Sequence, residues 1–171
     1  MKYKINSDGR IIALIAGVWG DVGTIGGHVD SESNLSQSGH CWVYKNARVS
    51  AYARVYNNAQ ILGHAQILGD ALVYDNARVF DYAEISGYAE ITGYAKVYEN
   101  AQIYDRAWVQ ESSEIYGNSH VYGNSHVYGY ASVSDYARVY GDSHVSGNMK
   151  ITQSYNYSID IKELSDKLVL I

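Results

Sequence analysis

The chain has no proline, one phenylalanine and one cysteine among 171 residues. A single cysteine excludes an internal disulfide, and Cys41 falls on a position otherwise filled by alanine or serine, so it reads as a core filler rather than a nucleophile. One phenylalanine against 18 tyrosines excludes a bulky oily core, because a side chain with a free hydroxyl belongs at surfaces and interfaces. No apolar run is long enough to span a bilayer; Ile11–Val18 is short, with Gly17 and Gly20 close by. The N-terminus lacks a charged region followed by an apolar run and a small-residue cleavage site, so the expectation is a soluble, cytoplasmic protein without a membrane partner. Threonine occurs only at Thr24, Thr92 and Thr152, which excludes a threonine-based ice-binding face.

Basic residues are also scarce, and the net charge is −5. Residues 41–68 carry Lys45, Arg48 and Arg54 with no acid, whereas residues 69–114 carry nine acids against Arg78, Lys96 and Arg106. Single-strand nucleic-acid binders surround their aromatics with a basic groove, so this distribution argues against nucleic acid as a partner. The acidic belt is too sparse to mimic nucleic acid, and it reads first as a solvated surface that could steer a partner.

What is present is a beat of six. From Val43 to Ile151 a Val or Ile stands on every sixth position without a slip, and two residues before each stands a small residue with one exception: Cys41, Ala47, Ala53 and onward as Ala or Ser to Ser143. Two positions after the aliphatic residue stand Gly, Asn or Asp at most repeats, the types that accept positive φ most cheaply. An unbroken period of this kind is a repeat architecture of stacked β-coils. Three hexads per coil give about six coils, a triangular prism roughly 29 Å long at the spacing of neighbouring strands.

Strand alternation sends the aliphatic residue inward and its neighbours outward, and residues 18 apart then share a face. The first face reads Tyr44, Leu62, Phe80, Tyr98 and Tyr116, with Trp42 at its start, an apolar column expected to join copies of the chain as a dimer or trimer. The second face carries Tyr104, Tyr122 and Tyr140 beside His120 and Arg138, and the third carries Trp108, His126 and His144. Both are candidate surfaces for another partner. His126 and His144 should stack, but two imidazoles fall short of the three or four protein donors of a zinc site, so no metal or cofactor is expected. Residues 1–40 lie off the beat and form the N-terminal cap, with a hairpin of Lys2–Asn6 and Arg10–Ala16 around Ser7–Asp8–Gly9. Residues 41–153 are the repeat, and residues 154–171, with Ile159, Ile161, Leu164, Leu168 and Leu170 among charges, are a second cap or a tail that packs on a neighbour.

The hexad with its Gly, Asn and Asp corners resembles the left-handed parallel β-helix of hexapeptide-repeat proteins, many of which are acyltransferases. That resemblance implies a donor held in a groove between subunits, a His as general base, and loops inserted between coils. No loop interrupts Val43–Ile151, which argues against a transferase. The stretch Gly20–Asp21–Val22 and Gly26–Gly27–His28–Val29–Asp30 through Gly39, running into Cys41–Trp42–Val43–Tyr44, resembles the segment that leads into the repeats of uncharacterised hexapeptide-repeat proteins of phages and prophages. The expected function is therefore a non-catalytic binding or scaffold protein with a Tyr-rich rigid surface, phage encoded and acting on a host protein such as a defence component. Two alternatives stay open: an acyltransferase with its His at a subunit interface, and a structural rod of a virion or cell surface.

Overall fold

The computed structural model describes residues 1–152, which form an all-β parallel solenoid of about seven turns with one turn of 3-10 helix at Glu32–Asn34. The tail beyond lies outside the described residues. Each hexad contributes a two-residue strand ending on the inward aliphatic residue, such as Arg78–Val79, Glu84–Ile85 and Glu90–Ile91, one on each of three faces. Every strand pairs in parallel with the one 18 residues away: Val79 lies over Ile61 and under Val97, so the columns read from the sequence exist as ladders. The core between the three sheets is thin, built of Val and Ile with Ala two residues before, all fully buried from Val43 to Ile103 apart from Val55 at 1 %. Where Ser replaces Ala, the hydroxyl is satisfied locally: Ser113, Ser119, Ser125 and Ser143 donate to the carbonyl three residues earlier at 2.6–2.8 Å. A hydroxyl is thereby carried into an apolar stack without an unpaired polar atom.

Each corner turns on a residue in the left-handed region, with φ between +56° and +74° at every corner from Ala51 to Gly147. Three of these residues, Ala51, Glu99 and Glu111, fall outside the Gly, Asn and Asp set and are not forecast by residue type. The structure supplies the reason for the two glutamates: Glu99 accepts a hydrogen bond from the amide of Gly117 at 2.8 Å and Glu111 from that of Gly129 at 2.9 Å. Asp105 does the same for Gly123 at 3.1 Å. Each carboxylate thus caps the corner amide one coil ahead, offsetting a backbone conformation that costs on the order of 1–2 kcal/mol.

At the N-terminal end the predicted hairpin forms as β1 (Tyr3–Ile5) and β2 (Arg10–Ala13), antiparallel, and β2 pairs antiparallel with β3 (Ile25–Val29). The unbroken beat in the sequence stops at residue 41, but the stack extends further. β3 joins the second-face sheet in parallel, with Val29 under Val49, and Leu35 bridges to Val55 on the third face. Val29 and Leu35 keep the interval of six between themselves but lie 20 residues below their neighbours, because two extra residues before Cys41 shift the beat. Gly27 occupies the small-residue slot of this first rung. A Cβ there would meet the Ala47 carbonyl oxygen at 2.4 Å and Val43 Cγ1 at 2.6 Å, so even alanine is too large.

Candidate functional site

The first face differs from its sequence map at one end. Trp42 points out of the coil as alternation demands, yet it is 1 % exposed, so it is no part of an oligomer surface. The cap folds over it: Trp19 stacks on its ring at 4.9 Å and Tyr3 meets it edge-on at 6.3 Å. Lys2, also buried, donates from Nζ to the Cys41 carbonyl at 2.9 Å and to Cys41 Sγ at 3.3 Å, and lies over the Trp19 ring. Burial pulls the Lys2 ammonium below its usual range and pushes the Cys41 thiol up. Cys41 is buried as expected, with the added task of receiving a charged partner from the cap.

The rest of that column is in place but half-buried. Phe80, Tyr98 and Tyr116 stack ring on ring at 4.9 and 5.0 Å, and Tyr44 and Leu62 precede them. Burial raises the phenol of Tyr44 and, with Glu114 nearby, pushes that of Tyr98 to about 12. Beside the column Arg78 lies over Phe80, and Lys96 pairs with Glu114 at 2.9 Å.

On the second face Tyr104, Tyr122 and Tyr140 stack at 4.9 and 5.4 Å, with His120 edge-on to Tyr104 at 6.2 Å and in register with Arg138. Burial, then the Arg138 charge, lowers the His120 pKa. On the third face Trp108, His126 and His144 form one column, with ring centroids 5.1 and 4.8 Å apart. Burial, then His144, lowers the pKa of His126. The sequence therefore brings together the sets it was read to bring together. The ring faces of the tyrosine columns, however, are spent on one another, which leaves edges and hydroxyls for recognition.

More exposed aromatics sit at the corners, three residues after the aliphatic position, and strand alternation gave no reason to select them. Tyr52, Tyr82, Tyr88, Tyr94, Tyr130 and Tyr136 are 61–76 % exposed. Tyr82, Tyr88 and Tyr94 follow Val79, Ile85 and Ile91, so one coil carries a tyrosine at each of its three corners. His64 stacks on Tyr82 at 5.1 Å and Arg106 covers Tyr88. These rings are held by a rigid backbone and keep both an apolar body and a polar tip.

Among the described residues the large exposed aliphatic side chains belong to the cap: Met1, Leu14, Ile15, Val18, Val22 and Ile25. A recess of about 860 Å³ opens there, lined in part by Met1, Lys2, Ile15, Val18, Trp19 and His40. Its amine is already committed to Cys41, so it offers shape and apolar surface more than reactive chemistry. No group of three or more His, Cys, Asp or Glu among the described residues could hold a metal ion, and no helix among them is long and apolar enough to cross a membrane. The sequence matches no family model and no curated protein.

Proposed function

We propose that the chain is a non-catalytic scaffold that binds another protein through its outward aromatic side chains. The observation that carries this reading is the set of strongly exposed corner tyrosines on a solenoid whose coils run from Val43 to Ile151 without an inserted loop. Tyrosine gives large contact area at low conformational cost, and a rigid ladder loses little entropy on binding. Catalysis by a His needs a neighbour that excludes water and a site for the reacting proton. His120, His126 and His144 instead lie on ladder faces among side chains of the same column. The resemblance carried by residues 20–44 adds the expectation of a phage-encoded protein acting on a host protein in the bacterial cytoplasm.

The partially buried column of Tyr44, Leu62, Phe80, Tyr98 and Tyr116 is the surface for self-association in this reading, since Phe80 alone among its rings carries no polar atom. Two measurements test the pair of assignments. Capture from bacterial lysate with the native chain, set against a Tyr82→Ser, Tyr88→Ser, Tyr94→Ser variant of unchanged melting temperature, should show one retained protein lost by at least about tenfold, a threshold of roughly 1.4 kcal/mol; equal retention sinks the corner assignment. Phe80→Glu should lower the mass in solution while the fold persists, and an unchanged mass removes the first face as an interface.

A further inference from the structure

A side chain at a corner, three residues after the inward aliphatic position, meets the one 18 residues away. Asn58 donates to Asn76 at 3.2 Å and Asn124 to Asp142 at 2.9 Å, and the His64 ring stacks on Tyr82 with 6° between their planes. The corner between the second and third faces carries Tyr52, Asp70, Tyr88 and Arg106 in that order. The amides of Tyr52, Asp70 and Tyr88 each donate to the coil ahead at 2.6–2.9 Å, which keeps the column in register. Arg106 already lays its guanidinium over Tyr88, 5.9 Å from the ring centroid.

The other side of that ring is built differently. Tyr52 and Tyr88 are two coils apart, roughly 9.6 Å at the spacing of neighbouring strands, and between them stands the short side chain of Asp70 in place of a ring. Rings one coil apart on the faces stack at 4.8–5.4 Å, as Tyr56 does on Tyr74 and Tyr122 on Tyr140, so two coils leave room for one planar guest. Tyr52 and Tyr88 are 76 % and 61 % exposed, and Asp70 is exposed with them. Neighbouring corner acids are committed, Asp75 to Asn57 and Thr92, Asp105 and Glu111 to amides one coil ahead. The Asp70 carboxylate has no hydrogen bond or ion pair among the described residues.

We propose that Tyr52, Asp70 and Tyr88 clamp one arginine side chain of a protein partner. Its guanidinium lies between the two rings, as Arg106 lies on one, and donates to the Asp70 carboxylate. This rests on the reading that the corner tyrosines bind a protein, and names the group they take. A guanidinium is planar, always charged and weakly hydrated, which suits a slot between rings; a compact, strongly hydrated ammonium suits it less. The acidic belt of residues 69–114, nine acids against three bases, draws a cation to this region. The molecule also carries its own control: Tyr94 and Tyr130 are likewise two coils apart on another corner, with Ser112 between them and no charge.

NMR titration of the native chain with the blocked tripeptide acetyl-Gly-Arg-Gly-amide tests this. Binding should move the amide of Asp70 and shift the arginine δ protons upfield, the mark of a group held between ring faces. The peptides with Lys or citrulline in place of Arg should bind at least about threefold more weakly, since one lacks the plane and the other the charge. Asp70→Asn and the pair Tyr52→Ser, Tyr88→Ser should each weaken the arginine peptide by a similar factor, and the pair Tyr94→Ser, Tyr130→Ser should leave it unchanged, all at unaltered melting temperature. Equal binding of the Arg and Lys peptides overturns the clamp, as does an unchanged affinity in Asp70→Asn. Free L-arginine binding tenfold more tightly than the tripeptide overturns the protein source, and a lower mass in solution for Asp70→Asn would make a second copy the guest. The outcome is separable from that of lysate capture: a captured protein lost with the corner tyrosines but no preference for arginine overturns the clamp alone, whereas arginine binding with capture unaffected overturns the corner assignment.

Discussion

The cap and the coils solve the same problem, a buried interior beside a solvated exterior, by opposite means. In the coils one solution repeats: a Val or Ile, an Ala or Ser, a left-handed corner, and outward residues that vary freely. In the cap each contact is singular. Lys2 is held by Cys41 and Trp19, Arg10 reaches the carbonyls of Gly26 and Lys45 at 2.9 and 2.7 Å, and Tyr3 donates to the Leu35 carbonyl at 2.6 Å. The exposed surfaces differ in kind as well, with aliphatic groups on the cap and tyrosines on the coils. A repeat distributes stability over near-identical neighbours, whereas a cap concentrates it in a few irreplaceable contacts.

That contrast is broken most severely from within the coils. Val97→Asp places an unpaired charge among Ile115, Val79 and the facing sheets, and should cost about 4 kcal/mol or more, ending cooperative unfolding by heat or urea. An undisturbed transition would mean that the position does not face inward. Next comes Gly27→Ala in the cap, where the backbone of Ala47 leaves no space for a methyl group; about 2 kcal/mol is expected from the overpacking, read as a lowered urea midpoint. A smaller effect separates two corner glycines of similar φ. Gly123→Ala must push against Gly141, whereas a Cβ on Gly141 meets nothing within 4 Å among the described residues, and Gly141→Ala should cost only about 1 kcal/mol of backbone strain. If the two prove equally costly, the distance between coils is not what selects glycine at these corners.

Acidification gives the smallest change. His120 and His126 have lowered pKa values in the fold, so the unfolded chain takes up protons first and stability falls as pH drops below the ordinary histidine value of roughly 6.5. Melting temperature measured between pH 7.5 and 5.5, above the carboxylate range, should decline. The decline should flatten in a His120→Gln, His126→Gln variant; a slope identical to that of the native chain would exclude these two groups as its source.

The coils were legible because periodicity alone dictates which side chains face in, and the register of 18 that follows places each surface column. The stacked pair Phe80 with Tyr98 and the neighbouring, tilted rings of His126 and His144 are consequences of that arithmetic. The cap was legible only as a hairpin. Nothing local to Trp42 announces that Trp19 and Tyr3 will cover it, since those contacts span tens of residues of irregular chain. The shift of two residues before Cys41 hid the first rung for the same reason. The corner tyrosines escaped because alternation describes a strand, and the chain at Tyr82 or Tyr94 has just turned through a left-handed residue and no longer alternates.

The clasp in which Glu99 and Glu111 hold corner amides one coil ahead has a consequence for how such a chain can change over time. The partners are always 18 residues apart, so a gain or loss of one full turn preserves every face and alters length in steps of roughly 4.8 Å. A gain or loss of six residues keeps the interior intact but rotates everything beyond it by a third of a turn, moving each tyrosine column onto a different side. Two mutational steps of the same kind, differing only in size, therefore do separate things: one tunes reach, the other reassigns which surface faces the partner.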